Sequence, residues 1–443
     1  MLSKVNDDRR FSMSIPNALL VKTDTAHNNV RGVLVSLSMS ALLSALGTSI
    51  ANVGLPTLVK AFDATFQQIQ WVVLAYLLAI TALVVSAGRL GDLLGRRKLL
   101  QVGLGLFALA SVLCAVAPSL EWLIGARVIQ GVGAALMMSL ALALVGEHIP
   151  KDQIGRAMGI LGTVSALGTA LGPTVGGILI EQGGWSMLFL VNAPLGLLGW
   201  YLVNRFLQAD AQILPHTPSR ARAVGAALLT PIPVAMFRNK AFASGVAMSF
   251  LVTTVIMSTL VVGPFYLSGA LALNTTQIGL SMATGPIVAA ALSLPAGRLV
   301  DRLGAHPVLI GGLLAMLSGA GLLSQLPITL GVLGYIVPLT VLTAGYALFQ
   351  AANNTAVMTQ VDPARRGAGS GLLGLSRNLG LIAGASIMGM VFISASGATD
   401  IASADSTHID AGRQLSFAVA AGLIALASWV AIALRNQSLT RGE

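Results

Sequence analysis

The 443-residue chain has little charge, few aromatic residues and almost no cysteine. Charged residues make up 9% of it and aromatic residues 5%, and Cys114 is its one cysteine. Soluble domains carry about a quarter of their residues as charges, so this composition excludes an ordinary soluble fold. A single cysteine cannot form an intramolecular disulfide, and because it lies within an apolar run, thiol redox chemistry is not expected.

Signatures of catalysis and of nucleotide hydrolysis are also missing. The chain contains no GxxxxGK[ST] phosphate loop and no His/Cys/Asp/Glu cluster spaced for a catalytic metal. The sequence therefore predicts a protein that is not an enzyme, uses no cofactor or metal and is not driven by ATP. The net charge of +10 does not predict a nucleic-acid partner, because the placement of the charges follows a membrane rule instead.

Long apolar runs dominate what is present. Hydrophobic residues make up 55% of the chain, and its mean hydropathy is +0.82. About 20 apolar residues cross a bilayer as a helix, whereas barrel strands alternate over about ten. The sequence thus predicts an all-α membrane protein, embedded in a lipid bilayer, whose twelve spans are 32–53, 71–90, 99–117, 122–145, 156–180, 186–206, 241–268, 277–297, 307–326, 331–356, 368–395 and 413–434.

The basic residues predict the orientation of these spans. With both termini in the cytoplasm, 22 of the 26 Lys and Arg residues fall in cytoplasmic segments, and two, Lys60 and Arg413, fall outside. This asymmetry predicts cytoplasmic termini and an even number of spans. The predicted location is the inner membrane of a bacterium. The predicted organisation is a polar cytoplasmic tail (1–31), a first six-helix half (32–206), a cytoplasmic linker with an interfacial segment VGAALLTPIPVAM (207–240), a second six-helix half (241–434) and a short cytoplasmic tail (435–443).

The two halves repeat each other. GRLGDLLG at 88–95 recurs as GRLVDRLG at 297–304, identical at six of eight positions and 209 residues later. Gly168 and Gly172 recur as Gly380 and Gly384 at an offset of 212. Two six-helix halves with a substrate site between them at mid-membrane are typical of secondary transporters.

Three motifs resemble those of the major facilitator superfamily, and most of all its drug:proton antiporter families. GRLGDLLGRRK resembles the signature loop between the second and third helices, LIGARVIQGVGAA the fourth-helix arginine motif, and GTALGPTVGG the fifth-helix antiporter motif. The resemblance runs from the first span to the twelfth. It implies two pseudo-symmetric six-helix halves and transport by alternating access.

The resemblance implies that the two repeated loops are gating latches on the cytoplasmic side. Glycine permits tight turns and close helix approach, Asp92 can face a helix N-terminus, and the basic residues offer partners. A plain basic loop is the alternative, but the recurrence in the second half favours latches. The assigned residues are Gly88, Arg89, Gly91, Asp92, Gly95, Arg96, Arg97, Gly297, Arg298, Asp301 and Gly304.

The fifth span carries a smooth face of small residues. Gly168, Gly172, Gly176 and Gly177 let another helix backbone come close, and Pro173 removes a backbone donor and bends the helix. Simple helix packing is one interpretation. Pro173 has no counterpart in the second half, where Ala385 stands at the corresponding position, so the bend is special to one half. We therefore favour a functional seal against leaks over simple packing.

Ionisable and polar residues at span depth are the candidate working groups. Arg127 costs at least about 2.5 kcal/mol to bury. The resemblance implies that Arg127 takes part in proton transfer or substrate binding. The alternative interpretation is a structural tether, in which Arg127 binds backbone carbonyls or Gln130. Arg377 and Glu147 are further candidates for substrate binding or proton coupling. Residues that either line a cavity or form interhelical hydrogen bonds are Asn52, Tyr76, Gln130, Gln350, Asn353, Asn354 and Asn378.

The first span departs from the family pattern. Related antiporters usually carry an acid just before a segment like NVGLP, where this chain has Gly47. A buried carboxylate is a natural proton carrier, because desolvation raises its pKa toward neutrality. Its absence leaves Glu147, Asp92 and Asp63, all near span ends, as the acids that remain to carry a proton, although a solvated loop charge is the simpler interpretation of Asp63.

Together these features predict a monomeric secondary active exporter of small amphipathic compounds such as drugs, driven by proton antiport. Two alternatives stay open. The two arginines within spans favour an exporter or facilitator of a neutral or anionic metabolite. A membrane receptor that binds its ligand on a transporter scaffold without moving it is the alternative from another class.

Overall fold

The computed structural model describes residues 18–150, 153–207, 234–361, 366–397 and 404–440. Within these ranges twelve helices are long and apolar enough to cross a membrane, and no strand occurs, so the predicted class and number of spans are confirmed. The helices are α1 (Ala18–Val53), α2 (Phe66–Leu94), α3 (Arg96–Ala115), α4 (Leu120–His148), α5 (Ile154–Gly183), α6 (Met187–Phe206), α7 (Lys240–Ala270), α8 (Thr275–Leu303), α9 (Ala305–Gln325), α10 (Leu333–Thr359), α11 (Arg366–Ala383, continuing through a π turn, Gly384–Met388, into Gly389–Ser396) and α12 (Ser406–Thr440).

The helices extend beyond several predicted boundaries. α1 begins at Ala18, inside the stretch predicted as a polar tail, and residues 1–17 lie outside the described part. Most of the predicted linker, with nearly all of VGAALLTPIPVAM, also lies outside it; the linker resumes as a 3-10 helix at Val234–Arg238. α12 begins at Ser406, ahead of the predicted start at 413. Apolar runs mark the middle of a span well, but polar residues continue the helix beyond it.

The second helix of each half begins and ends in the same way. Thr65 before α2 and Asn274 before α8 each form a capping box with a glutamine three residues on. Both helices have 29 residues and end at Gly95 and Gly304, with φ of +96° and +86°. This backbone region favours glycine, which has no Cβ to clash. Both pairs are 209 residues apart, so the sequence repeat is also a structural repeat.

Glycines bring helix backbones into contact within each half. A Cβ on Gly133 of α4 would lie 2.7 Å from the carbonyl oxygen of Gly103 in α3, and one on Gly345 of α10 would lie 2.5 Å from that of Gly312 in α9. Helices in lipid associate through such close packing of small residues, because lipid chains are as apolar as the side chains. Each half is therefore held together by the same device.

The two halves meet mainly along α5 with α8 and α2 with α11. We call the end of the bundle that carries Gly95 and Gly304 the basic-loop side, and the other end the opposite side. On the opposite side Phe66 of α2 packs against Phe265 of α7 and Phe392 of α11. Among the described residues, the hydrogen bonds and ring contacts that join the halves lie toward this side, which is therefore closed.

Candidate functional site

Arg127 lies two turns inside α4 and its side chain has no exposed surface. Its Nε donates to the carbonyl oxygen of Val72 in α2 at 2.8 Å, and both Nη atoms donate to that of Gly47 in α1 at 3.2 Å. Nη1 also donates to Oε1 of Gln130 at 2.6 Å. The guanidinium is thus surrounded by oxygen acceptors, none of them an acid among the described residues.

The Arg127 network continues into two further contacts. Nε2 of Gln130 donates to Oγ of Ser111 in α3 at 2.8 Å. The guanidinium carbon lies 4.1 Å from the ring centre of Tyr76, whose hydroxyl donates to the carbonyl oxygen of Ser44 at 3.0 Å. A cation over an aromatic face is stabilised by the ring quadrupole, more strongly away from water. Arg127 therefore ties α1, α2, α3 and α4 together, in the tethering arrangement that the sequence left open.

A side chain at Gly47 would have to displace two aromatic neighbours. A Cβ there would lie 2.8 Å from the hydroxyl of Tyr76 and 3.1 Å from the ring of Phe107. At the position where related antiporters carry an acid, Arg127 binds a backbone carbonyl instead. The chain therefore lacks the usual first-helix proton carrier, and the site holds a backbone contact to Arg127 instead.

The first repeated loop packs within its own half. A Cβ on Gly91 would overlap Leu140 of α4, and the positive φ of Gly95 turns the chain from α2 into α3. Nη1 of Arg96 lies 3.3 Å from Oε2 of Glu147, and Nη2 of Arg97 donates to the carbonyl oxygen of Asn204 at 2.9 Å.

Three further residues of this loop were assigned to the latch. Gly88 faces Ser139 of α4, and Arg89 is exposed. The side chain of Asp92 lies outside the described part of the structure, so its predicted role as a latch stays a prediction.

The second repeated loop is open to its surroundings. Arg298 and Asp301 are exposed, and within the described ranges neither makes a hydrogen bond or an ion pair. A Cβ on Gly297 would meet nothing within 4 Å, and Gly304 keeps its positive φ for the turn. Among the described residues, therefore, neither Arg298 nor Asp301 forms an ion pair with the first loop.

The small-residue face of α5 serves two neighbours. A Cβ on Gly168 would lie 2.7 Å from the carbonyl oxygen of Leu42 in α1, and Gly172 and Gly176 face the same helix. Gly177 instead faces α8, where a Cβ would lie 2.5 Å from the carbonyl oxygen of Thr275. One turn earlier, the carbonyl oxygen of Pro173 meets Gly279 of α8. The face therefore joins α5 to its own half and to the other half at once.

The predicted cavity-lining residues fall into two groups. Nδ2 of Asn52 donates to the carbonyl oxygen of Thr48 at 3.0 Å, and that of Asn353 donates to Gly245 of α7 at 3.0 Å; both side chains are buried. Like Tyr76 and Gln130, they tie helices or turns together. The half-buried group, which makes no hydrogen bond among the described residues, is Gln350, Asn354 and Asn378, together with the substrate or proton-coupling candidate Arg377.

A groove of about 820 Å³ opens between α1 and α5 toward the basic-loop side. Apolar residues such as Leu34 and Ile160 line it, with Arg31 and Gln153 near its outer end. Its volume falls within the range of about 300–1,000 Å³ that is usual for small-molecule pockets. An apolar groove with a few polar groups is suited to an amphipathic ligand.

An ion pair that the sequence did not predict lies near the start of α12. Arg413 is 1% exposed, and its Nη2 lies 2.7 Å from Oδ1 of Asp410. Arg413 also donates to the carbonyl oxygens of Leu323 and Leu326 at the end of α9. The prediction placed both residues outside or at the edge of the span. The i, i+3 spacing of an acid and a base just before the apolar run was the available signal.

Comparison with known proteins agrees with this architecture. The model of the Major Facilitator Superfamily matches residues 37–385. The riboflavin transporter RibZ of Clostridioides difficile is 29% identical over 81% of this chain and 88% of its own length. The multidrug resistance protein Stp of Mycobacterium tuberculosis is 28% identical over 81% and 75%. A solved bacterial homologue of the human lysosomal transporter Spinster shares the fold, with a TM-score of 0.73 at 16% identity over 90% of this chain and 95% of its own.

Proposed function

The chain belongs to the Major Facilitator Superfamily, and on that premise we propose that it exports small amphipathic compounds, drugs among them, by alternating access with proton antiport. It is a transporter and not an enzyme. In this proposal the basic-loop side faces the cytoplasm of a bacterium, both termini are cytoplasmic, and the monomer is the working unit.

The observation that carries the proposal is the difference between the two ends of the bundle. Phe66, Phe265 and Phe392 close the opposite side, while the amphipathic groove between α1 and α5 opens toward the basic-loop side. An exporter loads its substrate from the cytoplasm in a state of this kind. The four half-buried polar residues of α10 and α11 would then contact the substrate between the halves.

The proposed drive needs an acid that water can reach. Glu147, whose side chain is 49% exposed, meets this condition, and its ion pair with Arg96 is of the type that breaks at little cost. Asp410 does not, because it is buried and bound to Arg413. One proton crossing 100 mV releases about 2.3 kcal/mol, which sustains a substrate gradient of about 50-fold.

A resistance panel tests the export of drugs. Expression in a bacterial host that lacks its own pumps should raise the inhibitory concentration of several amphipathic compounds and lower the accumulation of a fluorescent one. The matched inactive control is Gly279→Leu, which blocks the contact of α8 with Pro173. Binding of a compound by purified protein without any movement across a liposome membrane would contradict export and favour a receptor.

A neutral or anionic metabolite is the second candidate substrate. Arg377 is half-buried and makes no ion pair among the described residues, so an anionic group could neutralise it. The relative RibZ transports riboflavin according to its name. Riboflavin and a cationic dye should therefore be compared in the same liposomes. Transport of the flavin alone, weakened by Arg377→Gln, would favour the metabolite over drugs.

A further inference from the structure

One polar side chain crosses the seam between the halves on the opposite side. Gln70 lies in the second turn of α2 and is 5% exposed. Its Nε2 donates to the carbonyl oxygen of Ala385 in α11 at 2.8 Å, across 315 residues of sequence. A buried amide without a hydrogen-bond partner costs the full desolvation free energy of that group. This hydrogen bond therefore stabilises the closed seam relative to a seam that has separated but has not yet admitted water.

The acceptor lies in an irregular part of α11. Ala385 belongs to the π turn Gly384–Met388, which departs from the regular i to i−4 pairing of an α-helix. Single π turns inside helices are rare and occur often at functional sites. Directly after the turn, a Cβ on Gly389 would overlap the amide of Gln70. The π turn and the glycine together therefore form a slot for the Gln70 side chain.

An aromatic layer lies one turn from the slot. The ring of Phe66 lies 4.6 Å from that of Phe265 and 5.7 Å from that of Phe392, centre to centre, and all three are buried. Phe66 belongs to the first half and the other two to the second. Phe66 and Gln70 are four residues apart and so share one face of α2. The same helix face thus carries the apolar and the polar contact across the seam.

A buried ion pair packs behind the partner surface in the second half. Phe265 directly precedes a second π turn, Tyr266–Ala270. The guanidinium of Arg413 lies 4.9 Å from the ring centre of Tyr266 and is itself paired with Asp410. The buried ion pair therefore supports the end of α7 against which Phe66 closes.

From this geometry we infer that Gln70 is a positioning residue of the transport cycle, which locks the opposite side shut by inserting its amide into the slot formed by Ala385 and Gly389. When the halves separate there, water replaces the carbonyl as the partner of the amide. The lock sets the ratio between the populations of the state open on the basic-loop side and the state open on the opposite side. The inference rests on the proposed alternating access, but not on the substrate or the coupling ion.

The test measures the seam directly with spin labels in lipid nanodiscs. One pair of labels replaces the exposed Lys60 and Leu330 on the opposite side, and a second pair replaces the exposed Arg205 and Leu303 on the basic-loop side, each in a Cys114→Ala background. Gln70→Ala should raise the population of long distances on the opposite side about two- to tenfold, as the loss of one net hydrogen bond implies.

Gln67 gives the matched control, because it has the same side chain on the same helix but is exposed. Gln67→Ala should leave both distance distributions as they are. An unchanged opposite side in Gln70→Ala would overturn the lock. A lengthened opposite side with no shortening on the basic-loop side would keep the lock but contradict the rocking of rigid halves in the proposed function.

A second variant separates the hydrogen bond from simple packing. Gln70→Glu keeps the shape, but its carboxylate has no proton to donate and faces a carbonyl oxygen. The seam should open at neutral pH and close again in acid, where the protonated group donates once more. Gln67→Glu should show no such reversal. A Gln70→Glu protein with the same distances at both pH values would refute the role of the hydrogen bond.

Discussion

Replacing Arg127 by lysine should destabilise the protein more than replacing it by methionine. The arginine makes four hydrogen bonds to three acceptors, Val72, Gly47 and Gln130, which lie in different directions around its plane. Lysine keeps the charge but carries its three donors on one nitrogen, so it cannot reach all three acceptors. The buried charge would then remain while part of its compensation is lost.

The magnitude follows from the contacts. Hydrogen bonds of a charged group are worth about 1.5–3 kcal/mol each, so the loss of two costs about 3–6 kcal/mol. Methionine removes the charge and its desolvation, and leaves mainly Oε1 of Gln130 unpaired, at about 1–3 kcal/mol. The carbonyls of Gly47 and Val72 lie inside helices and keep their helical donors. The order of stability should be arginine, then methionine, then lysine.

Thermal unfolding in detergent, followed by size-exclusion chromatography, measures this order. At about 2 °C per kcal/mol, Arg127→Lys should lower the midpoint by about 6–12 °C and Arg127→Met by less. Arg205→Lys, on the exposed end of α6, is the matched control and should stay within about 1 °C. A lysine variant as stable as the original chain would refute the tether and would mean that water or a ligand reaches the guanidinium.

Three further predictions follow from contacts elsewhere. Gly279→Ala should lower both the transport rate and the unfolding midpoint, because its Cβ would overlap the carbonyl of Pro173, whereas Gly162→Ala, in open space, should change neither. Asp410→Asn should lower the unfolding free energy by about 3–5 kcal/mol, because it leaves Arg413 buried and unpaired. The double variant Asp410→Leu with Arg413→Met should recover most of the thermal unfolding midpoint. Glu147→Gln should change the unfolding free energy by less than about 1 kcal/mol, yet abolish proton flux in liposomes if it carries the proton; intact flux would exclude it.

The fold was largely predictable because membrane spans obey a strong local rule. Apolar length alone located all twelve helices, and the repeated GRLGDLLG motif located the symmetry between the halves. Boundaries were less predictable, since α12 begins with the largely polar stretch Ser406 to Asp410, in which Ile409 and Asp410 are buried where the helix packs against α9 and α7. Sequence alone does not show which polar helix ends are covered by neighbours.

The candidate site was predictable in its residues but not in its partners. Arg127 stood out as a charge inside a span, and the proposal that it tethers carbonyls or Gln130 matches its observed contacts. Gln70 carried no signal, because a glutamine in the first turns of a span looks like an ordinary interfacial residue. Its role depends on a π turn in α11, 315 residues away. Contacts across the seam arise from the arrangement of the halves, which no local pattern encodes.

Simultaneous measurement of substrate and proton flux in proteoliposomes tests the central claim most directly. With a pH gradient imposed and an amphipathic substrate present, we expect the substrate to move against its concentration gradient while protons move the opposite way. Both fluxes should stop in a Gly279→Leu control. Substrate movement that is unaffected when the pH gradient is collapsed, or that occurs without proton movement, would contradict export driven by proton antiport.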